Sequence, residues 1–110
     1  MEMEKATYSR NALQECANMV KQTTWSVTTK KDHAAKCIEV KNIFDYCLEK
    51  TGCVNFETEY NVAHDYMHAV TLKLPVKQLN TLLKRCYLYL AGEINGIHEC
   101  MINGEVNAID

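Results

Sequence analysis

The segment from Pro75 to Gly92 constrains the fold more than any other. Val76, Leu79, Leu83, Cys86 and Leu90 recur at 3-4-3-4 spacing, which places side chains on one face of an α-helix. Leu82, Tyr87, Leu88 and Tyr89 widen that stripe until the last turns are apolar nearly all round. A helix of that kind is covered on several sides. It is either the central helix of a domain or the seam of a homodimer. Pro75 suits the first helical position and Gly92 the stop.

Two further helices read clearly. Over 9–22, Ser9 caps and Leu13, Cys16, Ala17 and Val20 follow the helical period. Over 33–51, Asp32 is placed to cap and Gly52 to terminate. There Ala34, Cys37, Ile38, Phe44, Cys47 and Leu48 form one broad face, flanked by Val40 and Ile43. The Thr-rich stretch 23–31 around Trp25 favours extended backbone. Residues 53–74 are ambiguous: a helix or turn to about Tyr66, then an extended piece to Leu74 before Pro75. Asn95-Gly96 and Asn103-Gly104 are turn signals, so Ile97–Ile102 reads as a short strand. The expected fold is α+β and mainly helical. Three to four helices surround one core, with short extended segments near 23–29, 67–74 and 97–102. A small all-α bundle is the alternative.

Composition fits one globular domain over 1–110. The apolar fraction is 47% and the charged fraction 24%, with one Pro and four Gly. That excludes disordered, collagen-like and low-complexity chains. No stretch of about 18 apolar residues is present, so no membrane span is expected. The start, MEMEKATYSR, has acidic residues where a signal peptide would have basic ones and no apolar h-region follows, so the expected location is cytoplasmic. Six cysteines (Cys16, Cys37, Cys47, Cys53, Cys86 and Cys100) are then read as reduced thiols, several of them in the core.

Candidate chemistry is thin. His64 and His68 would share a helix face, and His98 and Cys100 one side of a strand. Together they could make a tetrahedral zinc site, but no CxxC or HExxH accompanies them, so no metal or other cofactor is expected. Cys53, placed after a helix C-terminus, is the most exposed thiol candidate, but the negative end of the dipole there disfavours a thiolate. No GxSxG, Walker loop or Gly-rich phosphate cradle occurs. The chain is not expected to be an enzyme. Lys30, Lys31, Lys36 and Lys41 form a modest basic run, and Lys77, Lys84 and Arg85 line another helix. A net charge of −2 and a pI near 6.1 argue against a large phosphate-binding footprint.

Beyond Arg85 the chain carries Glu93, Glu99, Glu105 and Asp110 and no cation. These residues, with Tyr60 and Tyr66 as exposed aromatics, form the expected partner surface, directed at a protein with a basic face. The function expected is that of a small non-enzymatic, protein-binding regulator or inhibitor. Inhibitors of host machinery encoded by phages or viruses have this profile, and they act by occluding a site on a macromolecular partner. A small DNA-binding regulator and a zinc-supported module are the alternatives. A homodimer through the helix at 75–92 accompanies the first reading.

Overall fold

A computed structural model describes residues 5–58 and 60–110. In chain order the elements are β1 (Thr7–Ser9), α1 (Arg10–Gln22), α2 (Lys30–Thr51), α3 (Asn55–Thr58), α4 (Tyr60–Thr71), α5 (Val76–Ile102) and β2 (Asn107–Ile109). Four multi-turn helices surround one core, and the two strands pair in parallel, with Thr7 opposite Asn107 and Ser9 opposite Ile109. The fold is therefore mainly helical α+β.

Helix α5 is the axis. Leu79, Leu83, Cys86 and Leu90 are fully buried, and α1, α2 and α4 all pack on this helix. Leu79, Leu83, Cys86 and Leu90 of the apolar stripe are thus spent inside their own chain, while Leu88 and Tyr89 beside them stay exposed. Nor does the helix stop at Gly92. It runs 27 residues, about 40 Å at 1.5 Å per residue. Ile94 and Ile97 are buried and Met101 packs beside them, so the core holds the backbone helical through Asn95-Gly96. The extended segment expected at 97–102 is the last turn and a half of α5. The real turn is Asn103-Gly104, where Gly104 takes φ +73°.

Two other boundaries and one buried face differ from the sequence reading. Thr29, not Asp32, caps α2: its Oγ1 accepts from the Asp32 amide at 3.0 Å. Residues 67–71 are helical because Val62, Ala63, Tyr66 and Ala69 bury one continuous face of α4, and only 72–74 leave it. On α2 the buried face holds His33, Lys36, Val40, Ile43, Phe44 and Cys47, while Ala34 and Ile38 are exposed. Lys36 belongs to that face because its stem covers apolar surface while Nζ reaches Glu39 Oε2 at 2.7 Å and Thr24 Oγ1 at 3.2 Å.

Residues 23–29 join no ladder, and the chain bends at Thr23 and again at Thr28 and Thr29. Trp25 Nε1 donates to the Val20 carbonyl at 2.9 Å, which folds the segment back over the end of α1. Asn80 then holds Val27 through two 2.9 Å bonds, one to its amide and one to its carbonyl. At the other end of α2, Gly52 adopts φ +69° and its N–H donates to the Leu48 carbonyl, a left-handed helix stop.

Candidate functional site

Among the described residues the thiols lie apart from the histidines or are held in the core. Cys53 is buried, not exposed, and its thiol donates to Glu93 Oε1 at 3.8 Å. Cys16 and Cys47 are fully buried and face each other between α1 and α2: the Cys47 thiol holds Cys16 below the usual range, and its own pKa is driven up by Cys16. Burial raises Cys37 and pushes Cys86 up to about 12. Cys100 is raised by its hydrogen bond to Glu105. None of the six thiols is bridged, and Cys16, held low by Cys47, is fully buried, away from the solvent that a nucleophilic thiolate needs.

The zinc set is scattered. His64 sits on α4 with its ring edge-on to Tyr60, centroids 4.7 Å apart. His98 and Cys100 lie on α5, not on a strand, so a two-residue spacing turns them to different sides. Among the described residues no three His, Cys, Asp or Glu side chains are grouped to hold a metal. The basic run also disperses: Lys36 is buried and Lys30 Nζ donates to the Lys73 carbonyl.

The acidic end is largely engaged within the chain. Glu93 accepts from Asn55 Nδ2 at 2.7 Å, and Glu105 accepts from the Cys100 thiol at 3.3 Å. The Asp110 carboxylate accepts from Ser9 Oγ at 2.9 Å and from the Asn11 amide at 2.9 Å. Those two donors hold its pKa below the usual carboxylate range, the Asn11 amide most of all. Only Glu99 of this quartet accepts no side-chain bond among the described residues. Tyr66 is fully buried and is a core residue, not a surface aromatic, and Tyr60 is half-buried against Phe44.

What the fold does present is a trough between α1 and α5. One cavity of about 370 Å³ lies at the Arg10 end, over Leu13, Ala17, Ile94 and Met101. A second of about 550 Å³ continues it past Val20 and Ala91 to Trp25 and Tyr87. The two share Ala17, Ile94 and Asn95, so they form one groove. Small side chains at Ala17 and Ala91 leave the depth, and larger ones wall it. Trp25 leans on Tyr87 with centroids 5.5 Å apart and closes one end; Ile102, 70% exposed, stands at the other. Arg10, Lys21 and His98 stand on the rim, and no Asp or Glu lines either cavity. The formally charged residues of the lining, Arg10 and Lys21, are thus basic, unlike those of the acidic end.

Sequence reasoning missed this groove because its walls are about 75 residues apart in the chain and no local motif records their meeting. The only signals were the small residues Ala17 and Ala91 inside otherwise bulky apolar stripes. No family model matches the chain, and no curated protein or solved structure matches it.

Proposed function

We propose that the protein is a non-enzymatic binding regulator or inhibitor that seats an apolar, acid-flanked helical segment of a protein partner in the α1–α5 groove, and so occludes that segment. The observation that carries the reading is the groove itself, an apolar floor with cations and no carboxylate along its rim. Grooves of this kind take an amphipathic helix by its apolar face. Trp25 and Tyr87 supply the aromatic anchors that dominate binding energy at such surfaces. The rim charges select the partner and speed encounter.

Trp25 is the only tryptophan, so its emission reads groove occupancy directly. Three synthetic amphipathic helices, alike except for glutamate, lysine or glutamine flanks, are titrated in turn. The glutamate version is expected to shift Trp25 emission and saturate. Lys21→Glu is expected to weaken it about three- to tenfold, with a steeper salt dependence in the native protein. If the lysine version binds best and Glu99→Lys abolishes that binding, the acidic end is the partner surface. If no version moves the emission, the groove reading fails.

A further inference from the structure

The outward face of α5 has a composition that nothing inside the chain explains. Arg85, Leu88, Tyr89, Gly92 and Glu99 are exposed along it, and Gly96 is half-buried among them. Leu88 is 56% and Tyr89 41% exposed. Glycine inside a helix sacrifices stability relative to alanine, yet a Cβ at Gly92 or Gly96 would meet no atom within 4 Å. No described neighbour therefore requires either position to be bare. A second backbone approaching from outside would require it.

The charges along this face say which second backbone. Gly92 is seven residues from Arg85 in one direction and seven from Glu99 in the other. Gly96 is four residues after it and Leu88 four before. If a second α5 crosses antiparallel at Gly92, each Arg85 faces the partner copy's Glu99, and each Leu88 lies over the partner copy's Gly96. The face is therefore complementary to itself under a two-fold axis, which is the condition a symmetric dimer imposes. A parallel crossing would set Arg85 against Arg85 and Glu99 against Glu99, so the same charges reject it.

We propose that this face of α5 is the two-fold contact of an antiparallel homodimer, with Leu88 and Tyr89 packed over the bare backbone at Gly92 and Gly96, and Arg85 paired with the partner copy's Glu99. The contact uses the side of α5 that faces away from the core and borders the α1–α5 groove at Asn95. It stands independently of what that groove binds.

The test is sedimentation equilibrium of the full chain under reducing conditions, over a concentration series, with helicity checked by circular dichroism. The native protein is expected to be dimeric at the upper concentrations. Arg85→Glu and Glu99→Arg are each expected to weaken the dimer at least about tenfold, and the double variant Arg85→Glu/Glu99→Arg to restore it. On one helix the two residues are about 21 Å apart at 1.5 Å per residue, so restoration cannot arise within a chain. Gly92→Leu, which places a branched side chain at the crossing, is expected to abolish dimerisation while the chain stays folded. A native chain that is monomeric throughout overturns the proposal. So does a dimer indifferent to the charge reversals, or one that the double reversal fails to restore.

Discussion

His33 lies fully buried with Nδ1 at 2.6 Å from Tyr66 Oη, and its Nε2 has no partner among the described residues. The tautomer that satisfies most groups puts the proton on Nδ1. His33 then donates to the phenol, whose own proton points to the His33 carbonyl at 3.4 Å. Nε2 is left as a bare lone pair, the cheaper kind of orphan. Burial lowers the His33 pKa from its ordinary 6.5 and raises that of Tyr66. Below about pH 6.5 the unfolded chain therefore binds a proton that the folded chain resists, and stability is lost as pH falls through that window. The thermal midpoint is expected to drop between about pH 7 and pH 5. Tyr66→Phe alone strands Nδ1 and is expected to cost about 1–3 kcal/mol in urea unfolding, whereas His33→Leu/Tyr66→Phe costs less and flattens the pH response. A double variant that keeps the native pH slope would place the titrating group elsewhere.

At the scale of elements, the glycines separate two kinds of helix signal. Gly52 holds φ +69°, so Gly52→Ala forces an L-residue into the left-handed region and is expected to cost about 1 kcal/mol. Gly92 is helical with open space around it, so Gly92→Ala is expected to add about 0.5–1 kcal/mol to the dilute, monomeric chain. Urea unfolding of both variants checks the opposite signs. The same contrast explains what the sequence could reveal. At Gly52 the local stop signal and the packing agree, and the end of α2 is legible. At Gly92 and Asn95-Gly96 they conflict, and the burial of Ile94 and Ile97 outweighs the local preference. The start of α2 escaped notice because Thr29 and Asp32 are both capping residues, and the intervening Lys30 and Lys31 carry no apolar period. His33 was missed because a histidine gives no hydropathy signal, although it stands seven residues before Val40 on the buried face. Of the candidate surface, the residues of each wall were visible as parts of two stripes. Their meeting was not, because it depends on tertiary packing alone.

At the scale of the whole molecule, the two ends of the described chain are tied to each other. The ladder pairs Thr7–Ser9 with Asn107–Ile109, Lys5 Nζ donates to the Gly104 carbonyl at 2.8 Å, and Asp110 accepts from Ser9 and Asn11 at the start of α1. Asp110→Asn weakens that last link and is expected to speed hydrogen exchange at the Asn11 and Ala12 amides, leaving the α5 amides protected. Because its pKa is lowered, the native chain is expected to lose the same protection as pH falls through the carboxylate range. Unchanged exchange at Asn11 would mean that the link contributes nothing to the α1 terminus.

Parallel pairing of the two ends also has a mechanical meaning. In a parallel pair the backbone before Thr7 leaves at one end of the ladder and the backbone after Ile109 at the other. Tension applied through the two ends therefore runs along the strand axes in opposite senses. It loads the ladder bonds together in shear instead of opening them one at a time. A pull on this protein meets the β1–β2 ladder and the Asp110 link before it reaches any helix.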